Sequence, residues 1–520
     1  MANLPAYENV QFSVIQIDTT TGERKDEAWL QVQAATSDML TPWGVEQLRA
    51  GLDPHVKTVL VETPYVCEDF RSLHQNFYGR KFRERPSKCC RLHFFNEHLS
   101  ESEVVFAFPR EHYIGFSVVE PLMVRCIGRT VIRPEMIGLG PEHFHLLGTR
   151  FRNRVGGTLY ECNGFPYRSQ SNEATVCAHV TMWAVCRYLS HKFDRYRKHL
   201  PYELIEMAGR RNGRIIPHRG LNYADYAEML DRFGCHPIIV TNHGLGSQIF
   251  ASKEDGIQDQ QAFNDFLKIL YCYIESGFPL IASFSEHVVS IVGHASLDQD
   301  VTRERVSKLN GPIHAAELVD EYVVMDDAYF PYQLMPRTKT QQQNYRRALD
   351  EVRRIVVPLP DEAYLRPTDV DNYVLDFLED KVFEPMVTET LQDLELNEPI
   401  VYRPLLATGV SFKQFKQREL ADKPTDLAIR MQLALSLPRF VWCVEMSTPS
   451  LRTKDEAFGE ILLDATAGES DLEPIFIRIG SKIARSTITG EDTRLDYFDR
   501  NPYSSFAQYR HNLGASPRHA

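Results

Sequence analysis

No stretch of the sequence is long and apolar enough to cross a bilayer. The most apolar runs, such as 277–284, stop far short of the ~20 residues a membrane helix needs. The N-terminus has no basic segment followed by an apolar run, and the C-terminus matches no lipidation signal, so neither secretion nor anchoring is expected. Cysteine is sparse. Ten in 520 residues, with Cys89 and Cys90 adjacent and no C-x-x-C, exclude a zinc ribbon, a dithiol redox motif and a regular disulfide framework. Free thiols in a reducing, cytoplasmic compartment are the expectation. Positive charge is in deficit: 58 Lys and Arg against 70 Asp and Glu leave a formal charge of -12, which argues against nucleic acid or an anionic membrane as partner. Gly138-Leu139-Gly140 and Gly244-Leu245-Gly246 lack the rest of a dinucleotide or phosphate loop. His143 and His145 have no third ligand at a metal-binding spacing. There is no internal repeat and no low-complexity tract.

The composition, 43% hydrophobic and 25% charged, is that of a globular chain, and its length exceeds what one core organises. Three regions are expected: 1–150, 151–345 and 346–520. The first mixes helices with strands predicted at 56–62, 113–119 and 123–133, on their β-branched, apolar composition. Its basic, aromatic stretch at 70–93 reads as a solvated helix face and loop in a chain this acidic. The third region opens on Val356-Val357-Pro358-Leu359-Pro360, an extended segment. Helical patterns near 370–394 and 419–436 and strands at 440–446 and 458–463 follow, with no evident chemistry.

The chemistry lies in the middle. Residues 176–189 are apolar on most sides and predict a buried helix, preceded by a polar, turn-like flank at 169–175. Cys177 therefore sits at a helix N-terminus, where the macrodipole and unpaired N–H groups favour a thiolate and its own N–H can meet an oxyanion. His287 opens a β-branched strand at 287–293, and another strand, 321–327, ends in the two carboxylates Asp326 and Asp327. By alternation the two carboxylates point to opposite faces, so one of them orients the imidazole; Asp326 is preferred. A thiol nucleophile needs such a base, itself oriented by a third group. Taken singly, each has a plain explanation: core packing for a helical Cys, a structural hydrogen bond for the His, a turn cap for the Asp pair. The order of helix Cys, strand His and next-strand Asp is what points to catalysis.

The layout around these residues resembles the papain-like cysteine peptidases, closest to the bacteriocin-processing (double-glycine) peptidase-like domains of bacteria. A helix at 223–233, then Gly234, a strand at 238–240, a helix at 261–275 and Gly277-Phe278-Pro279 lead into the His287 strand. The similarity covers about 160 residues, 170–332. It implies an α+β fold, a central helix packed on an antiparallel sheet, flanked here by N- and C-terminal mixed α/β modules. It also implies Cys177 as nucleophile, His287 as general base then acid, and Asp326 as orienter. The family places an oxyanion-hole glutamine six residues before the cysteine. That position is Ser171 here, which leaves Gln170 or Asn172 for the role. The polar stretch 298–310 reads as a surface insertion. The expected activity is that of a cysteine peptidase or isopeptidase acting on a protein or peptide without a cofactor or metal. Acyl transfer to an amine, as in transglutaminase-like enzymes, uses the same residues, and a non-catalytic binding module on this scaffold is the remaining alternative.

Overall fold

The computed structural model describes residues 10–17, 22–103, 109–171, 173–208, 220–243, 255–296, 299–306, 309, 311–339, 344–468, 472–489, 492–498 and 501–509. The fold is α+β, built around three sheets. Among the described residues no helix is long and apolar enough to cross a membrane.

The first sheet is an antiparallel meander of Gln11–Gln16, Thr58–Tyr65, Cys89–Phe95, Tyr113–Val119 and Ile127–Ile132. The strand predicted at 123–133 starts only at Ile127, because 121–126 is spent on bends that begin at Pro121 and leave Met123 and Val124 in solvent. The basic stretch divides by position. Arg91 lies in a buried strand and reaches Glu62 at 2.6 Å, whereas Arg71, Arg80 and Arg83 are exposed.

The second sheet positions His287, Asp326 and Asp327. Its strands run in the order Gln333–Pro336, Glu321–Met325, Val288–Ala295, Leu280–Ser283, Arg354–Val357 and Ile238–Thr241, all antiparallel, and Phe144–Leu146 pairs with the end of Val288–Ala295. The extended segment at Val356 is thus an interior strand, hydrogen-bonded along both edges. This sheet draws on chain before residue 151 and after residue 345.

The third sheet is formed by Ile313–His314, Val401–Thr408, Phe440–Ser447, Gly459–Asp464, Pro474–Ile479, Lys482–Thr489 and Asp492–Phe498. Helices Pro367–Glu379 and Phe383–Asp393 fill the span between the second and third sheets in the chain. Within the insertion, Gln299–Val306 forms a helix that packs on the short helix Pro449–Arg452.

The helix Cys177–Lys192 is buried from Ala178 through Leu189, as an all-round apolar pattern requires. It packs on Val288–Ala295 and is pinned at three levels. Thr181 Oγ1 donates to the Val288 carbonyl at 3.3 Å, Trp183 Nε1 to Asp69 at 3.2 Å, and Tyr188 OH to the Gly277 carbonyl at 3.0 Å. Gly277 has φ +93°, a left-handed turn that lets Glu275 and Leu280 reverse direction between helix and strand.

Candidate active site

The Thr181–Val288 bond fixes which residues meet. One helical turn before Thr181 is Cys177, and one residue before Val288 is His287. Cys177 is the first residue of its helix, after Val176 as an uncapped N-cap, so its N–H belongs to the set with no intrahelical acceptor. Of the ten cysteines it alone is part-exposed. The other nine are buried, and burial raises the pKa of each.

On the sheet side the register pairs Ser290 with Met325, which brings the residues after Met325 alongside the start of the histidine strand. His287 Nε2 lies 2.8 Å from Asp326 Oδ1 and 3.7 Å from Asp327 Oδ1. Strict alternation would have turned Asp327 away. The strand ends at Met325 and the chain bends, with the Tyr329 N–H bonded to the Asp326 carbonyl at 3.1 Å, so both carboxylates come to the ring. With Nε2 committed to Asp326, Nδ1 is the ring nitrogen left to meet the Cys177 thiol.

The electrostatics follow from burial and pairing. Burial alone would lower the His287 pKa. Against it, hydrogen bonds to Asp326 and to Cys177, with the charges of Asp326 and Asp327, raise it to about 10. The buried Asp326 would be pushed up by desolvation, but its bond to His287, the Ala328 N–H at 2.9 Å and the Tyr345 hydroxyl at 2.7 Å hold it below the usual value. Asp327 behaves oppositely: burial and the neighbouring Asp326 charge push it up to about 6, and its partner is Arg125 at 3.4 Å. Near neutral pH the imidazole is therefore a cation beside the Asp326 carboxylate.

Gln170 is half-buried in the loop that enters the helix, and its neighbour Ser169 is fixed to the Ile127 carbonyl through both N–H and hydroxyl. Ser171 is already in use: its hydroxyl accepts from the N–H groups of Ala174 and Thr175 at 2.9 and 3.0 Å, a turn that delivers the chain to Cys177. Asn172 lies outside the described residues. Sequence reasoning did not find Tyr345 or Arg125. Neither carries a local signal, since one sits in a polar loop and the other in the bend after Pro121. Arg85 and Lys81 were read only as part of a solvated surface. They pair with Glu173 at 3.3 and 2.9 Å and so brace the loop before the cysteine.

Among the described residues two sets of donors have the spacing to hold a metal ion. His287, Asp326 and Asp327 offer atoms within 4.8 Å of one another, but the His287 Nε2 that would ligate is already 2.8 Å from Asp326. Cys443, Glu445 and Glu460 form the second set. There Lys416 Nζ, 3.1 Å from Glu460, and Arg403, 2.6 Å from Glu445, already supply the positive charge. A further buried network joins His294, His145 and Arg403 to Glu275 across the second and third sheets. Comparison of the chain with protein-family models, with curated proteins and with solved structures found no match.

Proposed function

We propose that the protein is a cysteine-dependent amide hydrolase, a peptidase or isopeptidase, on a papain-like helix-and-sheet unit. The observation that carries this reading is the convergence of Cys177, the first residue of its buried helix, on the strand start that presents His287, whose Nε2 lies 2.8 Å from the Asp326 carboxylate. In this scheme the thiol proton rests on His287, and the imidazolium is stabilised by Asp326. The Cys177 sulfur attacks the substrate carbonyl carbon, and the oxygen gains negative charge against the Cys177 N–H at the helix tip and the Gln170 amide. Collapse breaks the C–N bond as His287 gives its proton to the leaving amine, leaving an acyl-thioester. Water, deprotonated by His287, then attacks the thioester, and the carboxylic acid leaves as the proton returns. The chemistry assigns no step to a metal or an organic cofactor. Ten free cysteines suit a reducing compartment such as the cytoplasm.

The test is turnover of a diverse peptide library, followed by mass spectrometry of the products. The wild-type chain should generate new termini at preferred bonds, and Cys177→Ala should generate none while keeping its fold. Equal cleavage by the variant would remove the proposal. New amide products in the presence of an added amine would instead assign the second step to acyl transfer.

A further inference from the structure

At the opposite end of the cysteine helix a cavity of about 350 Å³ opens to solvent, and the thiol chemistry has no use for it. Its wall includes Arg187 and His191, ten and fourteen residues beyond Cys177. At ~1.5 Å of rise per residue the cavity stands roughly 15–20 Å from the thiol.

Four cations converge on this volume: Arg129, Arg152, Arg187 and Lys198. Three carboxylates answer them: Glu161 pairs with Arg152 at 2.9 Å, and Asp69 and Glu68 hold the other three in different ways. Asp69 is wholly buried and belongs to the scaffold, 2.6 Å from Arg187 Nη2 and 3.4 Å from Arg129 Nη1. Glu68 is part-exposed and satisfies three cations at once, at 2.9 Å from Arg129, 3.2 Å from Arg187 and 2.6 Å from Lys198. It fills, from within the chain, the position an external anion would take. The Nε–H groups of Arg129 and Arg187 are buried with no acceptor. The helix Glu68–Asn76 begins at this wall with no side-chain cap, which adds the positive end of its dipole. His191 reports the resulting potential: burial and then the charges of Arg187, Arg129 and Lys198 depress its pKa to about 4. Asn153 adds a further polar group, and the remaining lining is aromatic or aliphatic. Phe151 stacks on His191 with centroids 4.4 Å apart, and Phe116 and Tyr65 continue the surface. The volume lies at the lower end of the ~300–1,000 Å³ typical of small-molecule sites.

We propose that this cavity binds a phosphate monoester of a small aromatic or apolar group, its phosphate displacing Glu68 among Arg129, Arg187 and Lys198 and its body lying on Phe151 and Phe116. A phosphate carries about -1.5 to -2 at neutral pH. A dianion therefore has the advantage over the single charge of the Glu68 carboxylate it replaces. Arg152, 2.9 Å from Glu161, and Lys198 stand exposed at the rim beside the head group.

The full chain is titrated calorimetrically with phenyl phosphate, inorganic phosphate and phenol at one fixed ionic strength. Phenyl phosphate should bind saturably and at least tenfold more tightly than inorganic phosphate, and phenol should not bind. Arg152→Ala with Lys198→Ala, both at exposed positions that leave the core intact, should weaken phenyl phosphate at least tenfold. Glu68→Gln should tighten it by removing the internal competitor. The proposal is overturned if phenyl phosphate fails to saturate the folded protein, if inorganic phosphate binds equally well, or if the double variant binds undiminished. Weaker binding by a folded Glu68→Gln would overturn it too. Cys177→Ala should bind like the wild type, so the outcome is independent of the proposed hydrolysis.

Discussion

Replacing Asp326 by Asn keeps the outline of the side chain and removes its charge, which isolates what the carboxylate does for His287. Burial lowers the His287 pKa, yet it stands at about 10 because two contributions from Asp326, one from Cys177 and one from Asp327 outweigh burial. A rise of that size favours the imidazolium by roughly 5 kcal/mol at ~1.4 kcal/mol per unit. Asp326 supplies the largest of the raising contributions, and a hydrogen bond to a charged partner of this kind is worth on the order of 2–3 kcal/mol. Because the folded pKa lies above the ordinary 6.5, this stability is present in full below pH 6.5 and is lost as the pH rises through about 10. Urea unfolding of both chains at several pH values reads it directly. Asp326→Asn should be less stable by about 2–3 kcal/mol near pH 6, and the gap should close toward pH 10. A gap that stays constant across that range would refute the reasoning, since it would mean the carboxylate acts through packing rather than through the charge on the ring.

Tyr345→Phe removes the hydroxyl 2.7 Å from Asp326 and should cost about 1.5–3 kcal/mol, with a pH profile displaced in the same direction as Asp326→Asn but less far; an unchanged unfolding midpoint would contradict this. Arg187→Met leaves the buried Asp69 with a broken ion pair and should destabilise by about 3–5 kcal/mol in thermal or urea unfolding, whereas adding Asp69→Leu should recover part of the loss. Dialysis against a chelator should leave peptide turnover unchanged, because His287 Nε2 is committed to Asp326; activity lost to the chelator and restored by zinc would transfer the site to metal chemistry.

The parts of the structure that could be read in advance are those whose signal is local. The helix at Cys177 shows in its apolar periphery, and the strand Tyr113–Val119 and the helix Tyr223–Phe233 match the sequence pattern end to end, whereas the strand read at 321–327 stops at Met325. Partner choice was not legible. Arg354–Val357 looks like any proline-bounded extended segment, and only long-range pairing with Leu280–Ser283 and Ile238–Thr241 makes it an interior strand. The same holds within the candidate site. The sequence offers Cys177, His287 and the two aspartates as types in a plausible order. It does not reveal that the bend after Met325 brings both carboxylates to the ring, or that Tyr345 and Arg125 hold them apart. Nor does it reveal that Ser171 is taken by the loop it closes.

The central claim is that Cys177 is the nucleophile and His287 the group that takes its proton, and alkylation with iodoacetamide at pH 6 tests it most directly. An ordinary thiol, with a pKa of about 8.5, is almost wholly protonated there. The account predicts one label per folded chain, on Cys177, added at least tenfold faster than in His287→Ala, with the nine buried thiols reacting only after unfolding. Equal rates in the two proteins, or a label that lands first on another cysteine, would contradict it.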